Sequence, residues 1–174
     1  MSLREQHGPE IDDILSRYAQ PRSAVIPLLY VAQDAYGHLT DESIREVAGI
    51  LGLPETDVFE VVGFYTLFYN KPVGTWVLQV CDDVPCCFLG AEQLVETLEQ
   101  KLGIVAEQTT DDKMFTLQRV KCLADCDRAP MLQANLEYYR NIDTPEKVDA
   151  MLTELRQRAA AGETLSVSGR FAER

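Results

Sequence analysis

Apolar residues recur at helical spacing through the N-terminal part of the chain. Ile11, Ile14, Leu15 and Tyr18 fall at i, i+3, i+4 and i+7 ahead of Pro21, which predicts an amphipathic helix that stops there. Ser23 is a fitting N-cap for a second helix, with Pro27 in its first turn, Leu28, Val31, Ala32 and Ala35 facing inward, and Gly37 as its stop. Thr40 caps a third, whose acidic first turn, Asp41 and Glu42, suits the positive end of the helix dipole. Its inner face is Ile44, Val47, Ala48 and Leu51, and Pro54 opens a fourth helix with Val58, Val61, Val62 and Tyr65 as the buried side. Four short helices in succession predict a small helical bundle or arm over residues 1–70.

The pattern changes at "NKPVGTWVLQV", where Asn70, Pro72 and Gly74 carry loop chemistry and Trp76, Val77, Leu78 and Val80 carry strand character. A helix follows, with Leu94, Val95, Leu98 and Leu102 on one face and Gly103 as its end. Two strands are expected next, Phe115 to Val120 and Met131 to Tyr138, and then a helix from Thr144 with Pro145 first and Val148, Met151, Leu152 and Leu155 buried. The predicted class is therefore α/β (α+β), an N-terminal helical arm followed by a βαββα domain over residues 71–160. Residues 161–174, "AGETLSVSGRFAER", show no helical period and read as a loosely held or partner-docked extension.

Charge narrows the partners. With 28 acidic against 16 basic residues the net charge is -12, so nucleic acid and anionic membrane would be repelled, and a protein or small ligand is expected instead. The start "MSLREQHGPE" is polar and the apolar runs are too short to span a bilayer, so neither export nor direct membrane insertion is expected. In a cytoplasmic setting thiols stay reduced, and five cysteines then point to metal or redox chemistry.

Three of those thiols crowd into "CDDVPCCFLG" as Cys81, Cys86 and Cys87; Cys122 and Cys126 stand in "KCLADCDRAP". C-x4-C and C-x3-C lie about 35 residues apart, and they meet only if the fold brings two strand ends together. Structural zinc favours tighter C-x2-C knuckles. A binuclear iron-sulfur cluster takes two thiolates per iron and suits looser loops. The plant-type ferredoxin spacing is absent, and a Rieske site needs two histidines, whereas His7 and His38 belong to the helical segment. Dithiol exchange normally uses C-x-x-C, which is missing. Iron-sulfur, zinc and inert or reactive thiols all stay open on spacing. Neighbouring side chains diverge, so Cys86 and Cys87 are not both expected on one iron, and one of them is a spare.

The stretches "PVGTWVLQVCDDVPCCFLGAEQL", "TTDDKMFTLQRVKCLADCDRAP", "RSAVIPLLYVAQDAYGHL" and "LPETDVFEVVGFYTLF" resemble the thioredoxin-like 2Fe-2S subunit family of NADH:quinone oxidoreductase, the 24-kilodalton type subunit of respiratory complex I. The resemblance implies a thioredoxin-like domain behind the helical arm, with one 2Fe-2S cluster on Cys81, Cys86, Cys122 and Cys126, and Cys87 at a position where the family varies. It implies a partner subunit that carries FMN and binds NADH, further iron-sulfur subunits of a peripheral arm on the cytoplasmic side of the inner membrane, and no catalytic residue on this chain. Equivalent subunits of NAD-linked hydrogenases and formate dehydrogenases are the alternative within this class, and a zinc-binding interaction module is the alternative outside it. Two departures stand out: Ala124 where the family usually has glycine, and Gly63 where threonine is common. Asp82, Asp83, Asp125 and Asp127 flank the cysteines, and read either as a solvated rim or as charges that lower a cluster's potential.

Overall fold

The computed structural model describes residues 2–163, which include seven α-helices and four strands. They fall into two compact units, one up to Pro72 and one from Val73 on.

The first unit is helical. Its α1, Leu3–Ser16, begins earlier than the apolar stripe suggests, because Ser2 and Glu5 form a reciprocal capping box. The helix kinks at His7, ahead of Pro9, and buries Leu3 and Ile11, whereas Tyr18 beyond its end is exposed. A 3-10 turn, Pro21–Ala24, leads into α2, Val25–Tyr36, so the second helix starts at Val25 and not at Ser23. Then come α3, Asp41–Leu51, capped by the Thr40 hydroxyl, which accepts from the Ser43 amide, and α4, Glu55–Phe64. The segment after α4 is fastened by buried Gln33, whose amide nitrogen donates to the Leu67 carbonyl at 3.0 Å and whose oxygen accepts from the Tyr69 amide at 2.8 Å. Phe68 and Tyr69 are core residues there, and Phe68 packs on Tyr30 with ring centroids 4.8 Å apart. Tyr65, expected inside, is 42% exposed: α4 ends at Phe64 and the extended backbone at Tyr65 leaves the helical face.

The second unit is a four-stranded sheet in the order β2-β1-β3-β4. β1, Trp76–Cys81, is central and wholly buried; β2, Phe115–Val120, runs parallel to it, and β3, Leu132–Ala134, antiparallel. β4, Glu137–Tyr139, returns antiparallel to β3. The segment Met131 to Tyr138, expected as one strand, is thus a hairpin, turned by Asn135 and Leu136 at positive φ. A one-turn helix α5, Val84–Phe88, precedes α6, Ala91–Leu102, and α7, Pro145–Ala160, closes the unit. Alternation along β1 explains the packing: Trp76, Leu78 and Val80 share one face and meet Leu94, Val95 and Leu98 of α6 and Val148, Met151, Leu152 and Leu155 of α7. Trp76 is anchored further by its indole N–H, which donates to the Leu155 carbonyl at 2.9 Å. The expected extension at 161–174 lies almost wholly outside the described residues.

Candidate iron-sulfur centre

The sheet explains why distant cysteines meet. β1 and β2 are parallel neighbours in a register that pairs Cys81 with Val120, so both strands end at the same edge. The chain leaves β1 into the Cys86 loop and leaves β2 through Lys121 into the Cys122 loop. The Asp82 amide donates to the Val120 carbonyl at 3.0 Å and the Cys81 amide to the Met131 carbonyl at 3.3 Å, which stitches the two loop starts and the entry to β3 together.

Cys81 and Cys86 form the inner pair. Both are buried, with Ala91 and Met131 around them and Leu123 and Ala129 packed alongside. Asp83 caps α5 by accepting from the Val84 amide at 2.9 Å, and Pro85 enters the first turn, which swings Cys86 back towards Cys81. Burial pushes the Cys86 thiol up to about 12, the hydrogen bond and charge of Cys81 add to the rise, and a backbone hydrogen bond from Met131 opposes it. Cys122 and Cys126 form the outer pair, both exposed. The Cys126 thiol is raised too, by desolvation first and then by Cys122 and Cys81. Cys87 shares α5 with Cys86 but is exposed on its other side, and belongs to neither pair.

The sulfurs therefore meet two by two, with Cys126 close enough to Cys81 and Cys86 for their charges to interact. Among the described residues no three His, Cys, Asp or Glu side chains gather as a site for one metal ion. Two adjacent thiol pairs are the donor set of a binuclear cluster, in which each iron takes two terminal thiolates, so the residues present fit that group.

Ion pairs offset much of the acidic rim. The Asp82 carboxylate accepts from Lys121 Nζ at 2.7 Å and Arg119 Nε at 3.0 Å, and these cations hold its pKa below the usual value. Arg119 also pairs with Glu92, Arg140 with Asp125, and Arg128 Nε lies 3.7 Å from Asp127. Arg119, Tyr138 and Arg140 escape a reading of the cysteine loops alone, since they reach those loops from β2 and from the β4 edge. Ala124, between the outer cysteines, has φ +61, the left-handed region that costs an L-residue about 1–2 kcal/mol. Glycine would remove that strain at about 0.4–1 kcal/mol of extra chain entropy in the unfolded state. Ala124→Gly is therefore expected to stabilise the protein by roughly 0.5–1 kcal/mol, read as a higher urea midpoint with unchanged slope; a lower midpoint would show that the alanine is unstrained.

A mixed sheet of this order, with cysteine pairs at the carboxyl ends of its two parallel strands, defines a thioredoxin-like domain with a thiolate site. The chain belongs to the thioredoxin-like 2Fe-2S ferredoxin family, whose model matches residues 11–156. It is similar to an NADH-quinone oxidoreductase subunit of Rhizobium meliloti (strain 1021), 42% identical over 156 residues that cover 90% of each chain. The corresponding NADH-quinone oxidoreductase subunit of Rickettsia bellii (strain RML369-C) is 40% identical over 148 residues, covering 83% of this chain and 88% of that one. Among solved structures, an NAD+-reducing NiFe-hydrogenase in the air-oxidized state shares the fold, with a TM-score of 0.63 at 21% identity over 75% of this chain and 23% of that chain. No helix among the described residues is long and apolar enough to cross a membrane.

Proposed function

We propose that this chain is the electron-transfer subunit of an NADH:quinone oxidoreductase, holding one 2Fe-2S cluster on Cys81, Cys86, Cys122 and Cys126. The observation that carries this is the meeting of two thiol pairs at the shared end of β1 and β2; the similarity to the two bacterial NADH-quinone oxidoreductase subunits supports the host complex. When bound, the cluster accepts and returns single electrons, here exchanged with the FMN of a partner subunit that binds NADH. The chain's own residues supply the rest. Buried Cys81 and Cys86 exclude water from one side of the site, while exposed Cys122 and Cys126 leave the other side open to a partner. Lys121, Arg119 and Arg140 offset Asp82 and Asp125, so the carboxylates depress a cluster's potential less than their number suggests. No side chain here acts as acid, base or nucleophile. The assembly is read as a peripheral arm on the cytoplasmic side of the inner membrane, with further iron-sulfur subunits beyond the flavin partner.

Anaerobically purified protein is expected to be brown, to contain about two irons per chain, and to give a binuclear EPR signal on reduction. A colourless protein with one zinc would replace this reading with a zinc module, and a metal-free dithiol reductase would replace it with thiol exchange. Co-purification of a quinone-reducing membrane complex supports the host; a soluble hydrogenase or formate dehydrogenase in its place would move the chain to that assembly.

A further inference from the structure

The inner pair of thiols is held by burial, but the outer pair sits on an exposed loop whose only regular element is the 3-10 turn Cys126–Arg128. Something else must fix those sulfurs, and the chain just past the β3–β4 turn supplies it. The Tyr138 hydroxyl donates to the Leu123 carbonyl at 3.0 Å. The Arg140 guanidinium pairs with the Asp125 carboxylate and lies over the Tyr138 ring, 5.2 Å from its centroid. The Asn141 amide donates to the Arg128 carbonyl and the Ile142 amide to the Pro130 carbonyl, each at 2.9 Å. These contacts grip the outer-cysteine loop between and after its two thiols. Tyr138 is itself located by pairing with Gln133 on β3, and β3 pairs with β1, which carries Cys81.

We infer that Tyr138 and Arg140 are positioning residues, a brace from the sheet edge that holds Cys122 and Cys126 at the spacing a cluster needs relative to the buried pair. This rests on the four-cysteine reading. The brace acts through geometry: a hydroxyl on a loop carbonyl sets the backbone between the two thiols, and a planar guanidinium clamped between a carboxylate and a ring resists rotation in a way a lysine cannot.

The test uses the full chain, purified anaerobically with its cluster, in three variants: Tyr138→Phe, Arg140→Gln, and the double variant Asp125→Asn with Arg140→Gln, which keeps the wild-type net charge. Iron release to a ferrous chelator is expected to be about tenfold faster in each, with altered EPR g values of the reduced cluster. Tyr138→Phe changes no charge, so its effect cannot come from a change in net charge. Release at the wild-type rate in Tyr138→Phe and Arg140→Gln would overturn the brace. So would faster release that merely tracks a lower melting temperature while the g values stay put. A wild-type chain that carries no iron at all would sink the cluster assignment itself, a failure visible before any variant is made.

Discussion

Cys86→Ser is expected to strip or grossly shift the visible and EPR spectra of the purified protein, while Cys87→Ser leaves both unchanged. The two residues are adjacent, so the contrast isolates direction from position. Cys86 is 1% exposed and its thiol is hydrogen-bonded to Cys81; Cys87 points outward from the same turn of α5. A serine hydroxyl is a harder, far less acidic donor and a poor match for the iron of a cluster beside a thiolate, and even residues that only support ligands typically cost about tenfold or more in metal affinity. The loss at Cys86 should exceed that. Serine at Cys81, Cys122 or Cys126 is expected to act in the same direction. A bleached Cys87→Ser beside an intact Cys86→Ser would exchange their roles, and the far-UV circular dichroism of each variant separates ligand loss from unfolding.

Much of this site was legible before the fold was. Cysteine spacing sorts the thiols into two loops, and the mostly apolar run from Trp76 to Cys81 and the segment Phe115 to Val120 mark the two strands, found to be parallel, whose ends bring those loops together. Helices α3, α6 and α7 are legible because an apolar face comes with a start signal, Thr40 or Thr144–Pro145, or a stop, Gly103. The hairpin within Met131 to Tyr138 carries one turn signal, Asn135, which is easy to miss as a lone asparagine beside Leu136, also at positive φ, since leucine carries none. The start of α1 had a signal in Ser2 and Glu5, three apart, that an apolar stripe starting at Ile11 hides. Tyr138 and Arg140 are illegible for a different reason. Their partners lie 15 residues back along the chain, and only the β3–β4 register brings them there.

Gly74→Ala is the second large effect expected, and it tests how closely the chain entering β1 approaches the start of β2. A Cβ at Gly74 would lie 2.8 Å from both the backbone N and C of Phe115 and 2.9 Å from the backbone C of Met114. Those are main-chain atoms, so no side chain can swing aside. They are also pinned: the Gly74 amide donates to Thr116 Oγ1 at 2.7 Å, the Thr75 amide to the Lys113 carbonyl at 3.0 Å and the Trp76 amide to the Met114 carbonyl at 2.8 Å. Fully buried Trp76 and Phe115 follow at once, so separating the strands there loosens packed core. Overpacking of this kind costs about 1–3 kcal/mol, and the rigid backbone places this case near or above the top of that range. The measurement is the urea midpoint of the apo-protein, with Gly63→Ala in α4 as control. A Cβ at Gly63, in the last turn of α4, meets nothing within 4 Å, and alanine there gains at most roughly 0.5–1 kcal/mol over glycine. The two alanines should thus move the midpoint in opposite directions. An unchanged midpoint for Gly74→Ala would mean that the amino ends of β1 and β2 do not meet this closely.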